Sequence, residues 1–244
     1  MTEMSATQNL IGICEMTEFD YEYKDVFEVI GKPNVSVSLT PNELHALQAK
    51  FPINYIKFLG VVGTGTFKNG YFQICRPAEY KPVIKMIFEH DTLIDHKIMH
   101  IIGISAFGDM LIWEENTSEI TVEQWRHWVT QFPVRHDPAA DAEGNRGSRQ
   151  IAGSIYGLAT NSDQYDESGE ELFERCLAAY GPVKPGQIYA PRLAPAFGGT
   201  TNLEDFRVVS ALEAMAINVQ MAPFQLMDFS EFDRPKVIRQ IGAA

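Results

Sequence analysis

The stretch Phe51–Tyr80, FPINYIKFLGVVGTGTFKNGYFQICRPAEY, decides how the first half of this chain folds. Pro52 suits the first turn of a helix, where no backbone N–H is needed, and Ile53, Ile56 and Phe58-Leu59 follow at near-helical spacing. Gly60 and Gly63 stop that pattern. Phe67 and Tyr71-Phe72 then flank Asn69-Gly70, a pair that tolerates the positive φ angles of a tight turn, so a hairpin is expected. Beyond Pro77-Ala78-Glu79-Tyr80, the pairs Val83-Ile84 and Ile87-Phe88 predict a short amphipathic helix.

Working outward, Asp25 to Ile30 reads as a helix stopped by Gly31 and Pro33. Thr40-Pro41-Asn42-Glu43 is a capping box with proline at the first turn, which predicts a helix to about Lys50. Met99–Ser105 and Met110–Glu114 are β-rich runs joined by Ala106-Phe107-Gly108-Asp109, and the Thr, Val and Trp residues of Glu119–Phe132 favour further strands. The polar run PVRHDPAADAEGNRGSR, Pro133–Arg149, has no apolar period and reads as a linker or loop.

In the second half, Gln150–Ala159 reads as a strand and Asp163–Gly169 as an acidic loop, with Ser168 capping a helix to Tyr180. Ile188–Phe197 reads as extended. The box Thr201-Asn202-Leu203-Glu204 predicts the longest helix, to about Met221, and Asp228–Ala244 a polar tail with one helical turn. The expectation is an α+β protein of two small domains, 1–132 and 150–244, joined by 133–149, each with helices packed on a mainly antiparallel sheet.

Composition narrows the function. Hydrophobic content of 45% and charged content of 21% are those of a globular chain that can bury a core. The formal net charge of -12 opposes unspecific nucleic-acid binding and favours association with a basic partner. Ten basic residues face 17 acidic ones in 1–132, and eight face 12 in 148–244, so both halves are acidic. The opening MTEMSATQNLIGICEMTE lacks the positive segment and apolar run of a signal peptide. Cys14, Cys75 and Cys176 are odd in number and far apart, as reduced, buried thiols would be. Both features lead to the expectation of a cytoplasmic location.

Several motifs resolve to plain structure. Gly65 and Gly70 have phosphate-loop spacing, but Tyr71-Phe72 stand where Lys-Ser/Thr would be required. His90, His96 and His100 lack a metal-binding helical motif and read as surface residues. Asp137, Asp141 and Glu143 lack the spacing of a calcium loop. No serine or cysteine sits in a nucleophile signature. No catalytic residue, cofactor or metal is therefore expected.

A resemblance gives these pieces a common meaning. Phe51-Pro52 to Phe58, Gly63-Thr-Gly-Thr-Phe67, Asn69-Gly70-Tyr-Phe72, Pro77-Ala-Glu-Tyr80, Ala106-Phe-Gly-Asp109 and Leu111-Ile-Trp113-Glu114 resemble the GAD-like domain of bacterial type VI secretion immunity proteins. SGEELFERCLAAYG from Ser168 to Gly181, Tyr189-Ala-Pro, Pro195-Ala-Phe-Gly-Gly199 and Asn202-Leu-Glu-Asp-Phe-Arg-Val-Val209 resemble the C-terminal immunity domain that accompanies it. The chain departs from that pattern around Arg192-Leu-Ala and in a longer tail.

The resemblance implies a non-enzymatic antitoxin that binds a cognate DNase toxin, with no direct nucleic-acid, membrane or small-molecule partner. Charge and expected exposure nominate Asp109, Glu114 and Glu115 beside the second hairpin, and Asp163, Asp166 and Glu167 in the acidic loop, as toxin contacts. Two other readings stand beside it. One is an SMI1/KNR4-like interaction scaffold with endogenous partners, and the other an enzyme using Asp and His residues.

Overall fold

The computed structural model describes residues 20–115, 117–231 and 234–242; Cys14 and the opening segment lie outside them. Helix α1 (Asp20–Ile30) leads to strand β1 (Pro33–Val37) and helix α2 (Pro41–Leu47). The expected capping box starts α2: Glu43 N–H donates to Thr40 Oγ1 at 3.3 Å, and Thr40 N–H to Glu43 Oε2 at 2.7 Å. Helix α3 (Ile53–Val62) ends at Gly63, where φ is +70° and a Cβ would lie 2.7 Å from the Val37 carbonyl oxygen. Strands β2 (Thr64–Phe67) and β3 (Phe72–Ile74) form the expected hairpin, with Asn69 at φ 59° in its turn. Helix α4 (Lys81–Phe88) precedes four antiparallel strands, β4 (Met99–Ser105), β5 (Met110–Glu114), β6 (Ser118–Glu123) and β7 (Trp128–Pro133).

From here the elements depart from expectation. Residues 133–149 carry a short helix, α5 (Pro138–Ala142), and bind α3: Ile53 N–H donates to the Gly144 carbonyl at 3.1 Å, and Asn54 N–H to Asn145 Oδ1 at 3.0 Å. The expected strand 150–159 is helix α6 (Ser148–Thr160). Ile151, Ala152, Ile155 and Ala159 are its buried residues, and their spacing is helical, not alternating. Helix α7 (Phe173–Tyr180) starts later than the Ser168 cap predicts. Its first amides are held by Asp163, whose Oδ1 accepts from Leu172 N–H at 3.3 Å and Phe173 N–H at 2.9 Å.

Strand β8 (Gln187–Pro191) pairs with β9 (Phe206–Ser210), so the expected helix 201–221 divides into a 3-10 turn at Leu203–Asp205, strand β9 and helix α8 (Ala211–Val219). Phe206, Val208 and Val209 favour a pleated strand, and Ser210 Oγ accepts from Glu213 N–H to start the helix. Strand β10 (Gln225–Asp228) runs up to the expected tail, and the tail itself supplies β11 (Lys236–Gln240) in place of a helical turn. The main sheet has nine strands in the order β1-β2-β3-β4-β5-β6-β7-β10-β11, antiparallel except where β10 runs parallel to β7.

Two cores lie on opposite faces of this sheet. Ile101, Ile112, Ile120, Val122 and Val129 face α4 and α8, whereas Ile102, Leu111 and Trp113 face α1, α3 and α6. Each fully buried aliphatic side chain contributes about 2 kcal/mol of transfer free energy. Trp113 is fully buried and donates its indole N–H to the Lys50 carbonyl at 2.9 Å. A third cluster, Phe107, Leu172, Phe173, Tyr189 and Phe206, docks α7 and the β8–β9 pair against the β4–β5 turn. The fold is thus α+β with helices on mainly antiparallel sheets, as expected.

Candidate functional site

The six nominated carboxylates fall into two groups separated by the length of β5. A strand rises about 3.4 Å per residue, so Asp109 and Glu114, at either end of β5, lie roughly 17 Å apart. Asp109 is 8% exposed, against its expected exposure, because the β4–β5 turn folds it inward. Its Oδ1 accepts from Gln124 N–H at 3.0 Å and its Oδ2 from Gln164 Nε2 at 2.9 Å, which ties the turn to the acidic loop. Burial pushes its carboxyl up to about 6.

Glu114 is also interior, at 6% exposure, because it satisfies the β5–β6 turn: Thr117 Oγ1, Ser118 Oγ and Gln131 Nε2 all donate to its Oε2. Glu115 takes a hydrogen bond at 2.7 Å from His100 Nε2. His100 itself is buried, contrary to the surface reading of the histidines, and burial lowers its pKa. In the acidic loop Asp163 caps α7 and burial raises its pKa. Asp166 accepts from Arg175 and from the backbone of Ser168 and Glu170, and Arg175 lowers its pKa. Glu167 is exposed and accepts from Asn202 Nδ2 at 3.3 Å. Asp109 and the acidic loop therefore meet, while Glu114 and Glu115 remain at the far end of the strand.

Where they meet, a groove opens between α6 and the β6–β7 pair. It consists of two adjoining cavities of about 570 Å³ and about 910 Å³ that share Glu119, Phe132 and Ser154. The smaller carries four carboxylates, Asp109, Glu119, Glu123 and Asp163, against the single guanidinium of Arg126. The larger is bordered by Arg135 and Arg149. Glu119 forms the floor at 3% exposure; Ser154 Oγ donates to its Oε1 at 2.5 Å, and among the described residues nothing hydrogen-bonds its Oε2. Burial pushes this carboxyl up to about 7, against the opposing effect of the serine.

Sequence reasoning missed Glu119, Glu123 and the α6 wall because it placed a strand at 150–159. The signal was there in the helical spacing of Ile151, Ile155 and Leu158-Ala159. Cys75 and Cys176 are buried free thiols, as expected. Among the described residues no group of three His, Cys, Asp or Glu side chains could hold a metal ion, and no helix is long and apolar enough to cross a membrane.

Comparison with known families places both halves. Residues 22–125 match the GAD-like domain, and residues 155–222 match the C-terminal domain of the T6SS (type VI secretion system) immunity protein Tdi1. The crystal structure of Atu4351 from Agrobacterium tumefaciens is similar with a TM-score of 0.80 at 30% sequence identity, covering 91% of this chain and 99% of that chain. The chain belongs to the GAD-like/Tdi1 family of T6SS immunity proteins. Among curated proteins none matches it. Within this immunity family's two modules the groove has a telling position. Its β6 wall, with Glu119 and Glu123, lies in the GAD-like match, and its wall from Gly157 to Tyr165 lies in the Tdi1 match.

Proposed function

We infer that this protein is the antitoxin of a type VI secretion DNase, which it binds in the cytoplasm of the producing cell and keeps from that cell's own DNA. The observation that carries the reading is the Tdi1 C-terminal match over residues 155–222, on a chain that also carries the GAD-like match. The electrostatics support it. A nuclease must present a positive surface to phosphate, and a partner of net charge -12 is attracted to that surface from a distance.

Inhibition follows from occupancy. Acidic groups seated on the nuclease's phosphate-binding surface exclude DNA, with the two modules gripping the toxin together. Of the nominated contacts, Glu167 is exposed and Glu115 and Asp163 border the surface, whereas Asp109 and Glu114 act inside the fold and the side chain of Asp166 is covered by its pairing with Arg175. Co-expression with the toxin encoded beside the gene is expected to restore growth, and the purified protein to abolish DNA cleavage at a one-to-one ratio. Continued killing together with undiminished cleavage would sink the reading.

A further inference from the structure

Helix α6 contains two glycines, Gly153 and Gly157, one turn apart on the groove side. Glycine in a helix interior is unfavourable relative to alanine, and its missing side chain leaves a stretch of backbone that a neighbour can approach closely. Among the described residues nothing fills that space: a Cβ added at either position would have no atom within 4 Å. Between them Ser154 reaches across to Glu119 on β6 and satisfies only one of its two oxygens. A buried carboxylate oxygen without a donor is costly, and the acidic half of the groove sets four carboxylates against one guanidinium. Thr121 and the half-exposed rings of Phe132 and Tyr165 complete the walls.

We propose that this groove between α6 and β6 seats an extended segment of the toxin, whose backbone lies over Gly153 and Gly157 and whose lysine or arginine side chain reaches Glu119 Oε2. The occupant's chemistry follows from the site. The open glycine surface admits backbone, the unsatisfied oxygen needs a donor, and the surplus negative charge needs a cation. In the larger cavity Arg135 and Arg149 stand beside Asp137, and Arg149 pairs with Glu22, so the surplus of carboxylates lies at the other end and the cationic residue of the segment points toward Asp109, Glu123 and Asp163. Because Glu119 and Glu123 lie in the GAD-like match and Gly157 to Tyr165 in the Tdi1 match, a segment lodged along the groove contacts both modules at once. The assignment rests on the immunity reading and adds to it a location.

The test is the affinity of full-length protein for the toxin encoded beside its gene, carried as an inactive active-site variant, measured by calorimetry. Gly157→Leu fills the groove and Glu119→Gln removes its charge. Each is expected to weaken binding at least tenfold, while the thermal midpoint of Gly157→Leu stays at or above that of the parent, since leucine favours the helix and its Cβ meets no neighbour among the described residues. If the parent binds and both variants bind within twofold of it, the groove is not the seat of the toxin and the assignment is overturned while the immunity reading stands. If the parent itself binds no toxin, the immunity reading falls and the groove assignment with it.

Discussion

Glu119 stands on a strand whose neighbours Ile120 and Val122 point into one core while it points toward α6, so strand alternation alone aims a carboxylate at a helix. The consequence is a pH-dependent stability. Its folded pKa, about 7, lies above its ordinary 4.5, so the native state holds the proton more tightly than the unfolded chain. The associated stability is fully present below about pH 4.5 and is lost as pH rises through about 7. A shift of this size, from 4.5 to about 7, corresponds to on the order of 3 kcal/mol. Glu119→Gln, which cannot ionise, is expected to unfold at a higher temperature than the parent at pH 8 and at nearly the same temperature at pH 4.5. Parallel melting curves for the two proteins across that range would contradict the account. Asp109 behaves alike over a lower window, from 3.8 to about 6, but its two donors, Gln124 N–H and Gln164 Nε2, make it structural.

At the scale of elements, α7 shows how a helix can be started from outside its own sequence. Leu172 stands at its N-cap and offers no side-chain acceptor, and Asp163 supplies one from nine residues upstream. Replacing a capping side chain by alanine typically costs about 1 kcal/mol. Asp163→Ala is therefore expected to lower the urea midpoint modestly and to speed hydrogen exchange at Leu172 and Phe173 far more than at α6. Unchanged exchange at those two amides would show that the cap contributes nothing. A capping box read from sequence succeeded at Thr40 and failed at Thr201 for a related reason. Thr40 is followed by helix-compatible residues, whereas the Phe206–Val209 run has a partner strand in β8 that takes its backbone hydrogen bonds.

At the scale of the molecule, the tail adds the edge strand β11 to the nine-stranded sheet and is pinned by an ion pair whose carboxylate is buried. Arg239 forks onto both oxygens of Asp91, one at 3.0 Å, and Gly242 N–H adds a third hydrogen bond at 3.0 Å. Burial by itself would raise the pKa of Asp91, but Arg239 and the backbone donors together lower it. Its side chain is fully covered, so removing the arginine strands a charge, at a cost of about 3 kcal/mol. Arg239→Ala is expected to lose most of that at pH 7 and progressively less as pH falls below 3.8 and the carboxyl of Asp91 takes up its proton, as denaturant titrations across that range would show. The long-range field belongs to this scale as well. Glu167→Lys is expected to slow association with the toxin several-fold at low salt and to flatten its dependence on ionic strength, read by stopped flow. An unchanged association rate would remove Glu167 from the steering surface.

The sequence by itself determined the α+β class, the β2–β3 hairpin through Asn69-Gly70, the α2 cap and the pair of family modules, because these are written in turn residues, periodicity and the order of local motifs. Only the tertiary structure decided that 150–159 is a helix, that 225–240 supplies two strands of the main sheet, and that Asp109 and Glu114 turn inward. The groove belongs to that second set. Glu119 and Ser154 are 35 residues apart, and neither the desolvation of a carboxylate nor the open space above a glycine exists until distant segments have packed around it.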